Sequence, residues 1–166
     1  MRKKKDMKLT VGGLVFLTVM CVCVQLGQAQ EQLIRKNAFV FNPVGFGLAL
    51  AVGGYVDLDI EYQRALSRYV AFYLNPELLT SGYVSAFGLG VGLYFFPLGK
   101  YLNGLYLSAA VVPVFVGDMI AVGAEGVLGW QIVFRSGFVL GFGIGAVVSS
   151  GGGQFHLHLA KIGFAF

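Results

Sequence analysis

Three carboxylates and an amide occupy every second position of the stretch Val56-Asp57-Leu58-Asp59-Ile60-Glu61-Tyr62-Gln63. Acids gathered on one side of a chain suit one of two chemistries. Lining an apolar passage, they make a cation path or a proton-handling cluster. Sealed in an interior, they must be filled in by ion pairs and hydrogen bonds, because a buried charge needs a partner. Glu125, Gln131 and Lys161 alternate with apolar neighbours in the same way, and Lys161 is the obvious counter-ion. The sequence therefore predicts one polar network of Asp57, Asp59, Glu61, Gln63, Glu125, Gln131 and Lys161. Its structural, space-filling reading is preferred to a transport reading.

Other candidate chemistry is weaker. His156 and His158 stand two apart and could share a metal, but the sequence places no third ligand nearby. They read as histidines at an interface, or beyond a bulge, with no chemistry of their own. Phe87-Gly88-Leu89-Gly90-Val91-Gly92 mimics a nucleotide-binding glycine run, yet strand-type residues follow it where a helix is required. Cys21 and Cys23 are the only cysteines, and both lie near the N-terminus, so no thiolate site or disulfide is expected beyond it. No cofactor and no metal are expected.

The elements that must hold these residues follow from their period. A helix would scatter Asp57, Asp59 and Glu61 around its circumference, whereas a strand puts them on one face and Val56, Leu58, Ile60 and Tyr62 on the other. The same division recurs. Phe87, Leu89, Val91, Leu93 and Phe95 oppose Gly88, Gly90, Gly92 and Tyr94. Ile120, Val122, Ala124, Leu128, Trp130, Ile132 and Phe134 oppose Gly123, Glu125, Val127, Gly129 and Gln131. Phe138, Leu140, Phe142 and Ile144 oppose Gly141, Gly143 and Gly145. One face is large and greasy; the other is small or polar. Tyr94 and Tyr106 fall on the second face and are expected to fill space that its glycines leave.

Strands are predicted over about 38–48, 55–65, 69–76, 84–96, 104–115, 119–134, 137–148 and 154–166. Turn residues separate them at Gly53-Gly54, Leu66-Ser67-Arg68, Asn75-Pro76, Pro97 to Lys100, Gly117-Asp118, Arg135 to Gly137 and Gly151 to Gly153. Pro43 and Pro113 fall inside predicted strands, where each removes a ladder donor, and bulges are expected to absorb them.

The N-terminus carries a basic region (Arg2, Lys3, Lys4, Lys5, Lys8), an apolar run from Leu14 to Val24 and the small-residue site Gly27-Gln28-Ala29. Residues 1–29 are therefore expected to be a cleaved signal peptide, with a retained anchor as the alternative; the run is short of the ~20 residues a spanning helix needs. Five of the twelve Lys/Arg and one of the eight acids lie in that segment, which leaves seven of each and a formal charge of zero. No basic excess remains to suggest nucleic acid. The remainder is one domain, a short lead at 30–36 and a barrel at 37–166. With 57% hydrophobic and only 12% charged residues in the chain, it has too much surface to bury its apolar side chains alone. The expected solvent is a lipid bilayer. No window supplies a clean run of helix length, so a multi-helix membrane protein is the lesser alternative.

The prediction is an all-β, eight-stranded antiparallel transmembrane β-barrel. Its last residues, Lys161-Ile162-Gly163-Phe164-Ala165-Phe166, resemble the C-terminal signature of bacterial outer-membrane barrels. With the signal peptide and the alternation throughout, the chain resembles small eight-stranded barrels of the OmpA-barrel, OmpX and OmpW kind. The resemblance implies an outer-membrane location and recognition of Phe166 by the outer-membrane assembly machinery. Here the predicted connections are short, where those families usually carry long external loops. Phe95, Trp130, Phe134 and Phe166 lie towards strand ends on the lipid side and read as an interfacial aromatic girdle. Lipid A deacylases are small barrels too, but His156-Leu157-His158-Leu159 departs from their His-x-Ser-Asn pattern. The expected function is a non-enzymatic structural or interaction role with a side-chain-filled lumen. A narrow channel for small or apolar solutes is the alternative, and a lipid-modifying barrel enzyme a lesser one.

Overall fold

Period-2 alternation gives strands that pair in chain order until the last meets the first. The computed structural model describes residues 34–43, 55–81, 85–149 and 152–166. Of the side chains within those strands, those of residues 55, 57, 81 and 153–159 lie outside the description. The strands are β1 (Asn37–Phe41), β2 (Tyr55–Ala65), β3 (Val70–Ser81), β4 (Ser85–Phe95), β5 (Gly104–Val116), β6 (Met119–Val133), β7 (Phe138–Ser149) and β8 (Gly152–Ala165). Each is antiparallel to its neighbours, and β1 pairs with β8, so the sheet closes into an eight-stranded barrel with no free edge. Closure runs through Ala38↔Ala165 to Phe41↔Ile162, with Asn37 and Phe166 exchanging backbone hydrogen bonds of 3.1 and 2.8 Å.

The start of β1, the end of β8 and the β2–β3, β4–β5 and β6–β7 connections share one end, here the terminal end. The Gly117-Asp118 turn lies at the opposite, distal end. Ser67 shapes the β2–β3 turn: its Oγ accepts from the backbone N–H of Tyr69 and Val70. At the β6–β7 turn Gly137 has φ +98°, a left-handed conformation that other residues adopt only with strain.

Three strand predictions need correction. The first strand stops at Phe41, and Pro43 lies just past it, where no ladder donor is required. The expected turn at Gly53-Gly54 lies outside the described residues. Asn75-Pro76 is not a turn: β3 runs through it to Ser81. Pro76 still pairs with Leu89 of β4, while pairing to β2 lapses between Asp59↔Glu77 and Tyr62↔Leu74. Pro113 is likewise absorbed without a bulge. It keeps its place opposite Val122 of β6, and the β4–β5 pairing lapses between Gly88↔Val114 and Val91↔Val111. A proline lacks one N–H, and that N–H serves only one neighbouring strand, so the other ladder survives.

The bulge lies elsewhere. Between Gly141 and Gly143 the β7–β8 register shifts, from Gly141↔Lys161 to Gly143↔His158. Strict alternation counted back from Phe166 therefore does not carry through to His156 and His158. Their side chains lie outside the description.

The two faces separate cleanly. Ala38, Val40, Tyr73, Tyr94, Tyr106, Val127 and Val139 turn inward and are buried. Outward positions carry exposed Phe39, Ile60, Phe87, Val91, Leu93, Leu107, Val111, Ile120, Val122, Leu128, Ile144 and Phe164. Tyrosines fill what glycines leave: a Cβ on Gly129 would overlap the Tyr106 ring directly opposite, and one on Gly92 would overlap Tyr73.

Candidate functional site

The lumen network is built from alternate positions of β2, whose inward parity puts Glu61 and Gln63 one above the other. Glu61 is 2% exposed and Lys161 of β8 is 4% exposed; Lys161 Nζ donates to Glu61 Oε2 at 2.8 Å. The Tyr94 hydroxyl of β4 donates to the same carboxylate, lying 2.9 and 2.8 Å from its two oxygens. It also accepts from Lys161 Nζ at 3.3 Å. Three strands thus converge on one carboxylate across the lumen.

A second layer is made of amides. Gln63 and Gln131 form a reciprocal pair, Gln63 Nε2 to Gln131 Oε1 at 3.0 Å and Gln131 Nε2 to Gln63 Oε1 at 2.7 Å. The remaining proton of Gln63 Nε2 goes to Glu61 Oε1 at 2.5 Å, and that of Gln131 Nε2 to the Leu102 carbonyl at 2.7 Å. Both amino groups are fully used. Their orientation is over-determined, because a carboxylate and a carbonyl each demand a donor.

Leu102 belongs to the β4–β5 connection, which folds over the terminal end. Tyr101 and Leu102 have φ of 47° and 67°, and Lys100 and Asn103 on either side exchange backbone hydrogen bonds. Two positive φ values in succession mark the primed hairpin turns, which favour Asn and Gly. The left-handed conformation costs roughly 1–2 kcal/mol for a side-chain-bearing residue. Leu102 is 1% exposed, and burying a leucine contributes about 1.5–3 kcal/mol, enough to offset that cost. Phe96, from the start of the same connection, is buried beside it and meets Tyr94 and Tyr106 at ring distances of 5.8 and 6.0 Å.

Hydrogen bonds join four of the predicted residues directly. Glu61, Gln63, Gln131 and Lys161 form the continuous network. Asp59 is inward and buried nearer the distal end, where Asn42 Nδ2 donates to it at 3.4 Å. Glu125 is half-buried further round the barrel on β6. Asp57 lies on β2 opposite Leu79, with its side chain outside the description. Sequence reasoning treated Tyr94 as a space-filler, whereas it is a hydrogen-bonding member. It missed the Leu102 carbonyl altogether, since a backbone acceptor in a turn leaves no residue-type signal. Among the described residues no group of three His, Cys, Asp or Glu side chains could hold a metal.

Fold and site together define a closed eight-stranded antiparallel barrel with a polar, interlocked interior and an apolar exterior. No family model matches this chain, and neither a curated protein nor a solved structure does.

Proposed function

We propose that the chain is an outer-membrane β-barrel protein of structural or interaction role, with a lumen filled by its own side chains. One observation carries this reading: the barrel is inside-out. Glu61 and Lys161 are sealed within, while the outward positions of β5 are Leu105, Leu107, Ala109, Val111, Pro113 and Phe115. The ten residue-to-residue steps from Leu105 to Phe115 span about 34 Å along a strand, or about 26 Å after a tilt near 40°, close to the roughly 25 Å apolar band of such barrels. In water that surface would be an aggregation hazard; in a bilayer it is a solvent match. Export behind residues 1–29 and assembly through the terminal Phe166 belong to the same reading.

The closed lumen favours a structural role over conduction. An eight-stranded barrel has an interior only wide enough for side chains, and here Tyr94, Gln63, Gln131 and Leu102 interlock across it. The test is cell fractionation with heat-dependent gel mobility and far-UV circular dichroism, followed by planar-bilayer recording. A heat-modifiable, β-rich, non-conducting protein of the outer-membrane fraction is expected. A mainly helical or freely soluble protein would overturn the location. Steady single-channel currents would replace the filled lumen with the narrow-channel alternative. Altered lipid masses that depend on His156 would instead favour a lipid-modifying enzyme.

A further inference from the structure

The seven Lys/Arg beyond residue 29 are distributed with a sharp bias. Lys161 is sealed in the lumen against Glu61. The other six, Arg35, Lys36, Arg64, Arg68, Lys100 and Arg135, all lie at the terminal end, and all but half-buried Arg35 are exposed. Arg35 and Lys36 precede β1, Arg68, Lys100 and Arg135 sit in the three connections, and Arg64 faces outward near the end of β2. No aspartate or glutamate side chain accompanies them among the described residues. Asp59, Glu61, Glu77 and Glu125 are lumen-side strand residues, Asp57 lies further along β2, and Asp118 is in a distal turn. Beyond residue 29 seven basic residues balance seven acids, and six of those seven cations are gathered at one end of the barrel axis.

Beside these cations stands a ring of outward aromatics. Phe39, Tyr69, Phe95, Phe134, Phe138 and Phe166 are exposed at the same end. The guanidinium of Arg68 lies over the Tyr69 ring at 5.1 Å, and that of Arg35 over Phe164 at 5.7 Å. Aliphatic wall, then aromatic ring, then cation is the order in which a lipid monolayer presents chains, interface and phosphate. Arg64 is the sharpest case. It extends from the outer wall itself, opposite Phe72 and beyond Tyr62, where headgroup phosphate is the matching anion.

We propose that the terminal end is a collar for anionic phospholipid headgroups, which seats the barrel in the leaflet facing that end. The collar rests on the membrane reading above. Arg35 is a built-in part of it, tying the turn together by donating to the Ala165 and Arg135 carbonyls at 2.5 and 2.8 Å. Arg64, Arg68, Lys100 and Arg135 supply the exchangeable contacts. Each basic residue near an anionic surface changes lipid association by about fivefold, and salt screens the effect.

The test reconstitutes the full chain into phosphatidylcholine bilayers holding a trace of spin-labelled phosphatidylglycerol or spin-labelled phosphatidylcholine. Electron spin resonance then reads how strongly each label is held at the protein perimeter. Phosphatidylglycerol is expected to be preferred by roughly threefold to tenfold at low salt, with the preference falling towards one near 1 M salt. The variant R64Q/R68Q/K100Q/R135Q, checked for folding by heat-dependent gel mobility, is expected to lose most of it. Any lysines at the N-terminus are common to both proteins, so their difference reads the collar alone. A wild-type ratio of one, a ratio indifferent to salt, or a folded variant matching wild type would overturn the collar while leaving the membrane reading intact. Failure of the folded chain to enter any bilayer would overturn both. Should the quadruple variant not fold, R64Q/R68Q, which changes only two exposed side chains, is expected to lose about half of the preference, and a folded double variant matching wild type would overturn the collar.

Discussion

Glu61 takes hydrogen bonds from a lysine, a tyrosine and a glutamine, one from each of three side-chain types placed by β8, β4 and its own strand. Such a group is costly to disturb unevenly. Lys161→Met would leave an uncompensated buried carboxylate and is expected to lower stability by about 3–5 kcal/mol. Glu61→Gln combined with Lys161→Met removes both charges and keeps an acceptor for Tyr94 and Gln63, so most of that loss should return. Urea midpoints in lipid vesicles read the comparison; a double variant no more stable than the single one would contradict the ion-pair account. Gln131→Ala strands the Leu102 carbonyl and the Gln63 amide together. About 1–3 kcal/mol should go with each buried group left unsatisfied, measured the same way.

At the scale of the element, a strand's two faces have opposite tolerance for added bulk. Gly129 and Gly126 lie three residues apart on β6. Gly129 faces inward beneath Tyr106, and Gly126 faces outward, where an added Cβ would meet nothing closer than the Ser108 carbonyl at 3.8 Å. Gly129→Ala is expected to cost about 1–3 kcal/mol by overpacking, partly recovered by Tyr106→Leu. Gly126→Ala should be neutral or slightly stabilising, since it removes backbone freedom from the unfolded chain. Equal effects at the two glycines would refute the assigned parity. The prolines show the limit of reading elements from sequence. Residue type announces that Pro76 and Pro113 lack a donor, but not whether that donor would have faced a partner already set by register. The chain kept one ladder at each and continued the strand.

For the whole molecule, closure governs what the interior can do. The β4–β5 connection brings Phe96 and Leu102 over the terminal end, Leu102 bonded to Gln131 through its carbonyl and Phe96 against Tyr94 and Tyr106. Removing that cover should loosen the barrel before it opens a path, because the Glu61–Lys161–Tyr94 cluster remains beyond it. Leu102→Ala is therefore expected to lower the urea midpoint, by about 2–5 kcal/mol in stability, and still give no channel currents in planar bilayers. Conduction by Leu102→Ala alone would show that the plug is one residue deep.

The sequence by itself determined the division of environments: side chains two apart share a face, so alternation of acid or glycine with large apolar residues fixes which side is which. It also determined the number of strands and most of their turns. Which inward residues meet was beyond it. Glu61 and Lys161 are 100 positions apart, and their contact depends on β1 closing the sheet between β2 and β8 in one register. That register is a property of the closed cylinder, because strand stagger accumulates around the barrel and sets who stands opposite whom. The same holds for the bulge in β8: a single extra residue in one ladder is invisible to composition and period, and only the paired strand shows it.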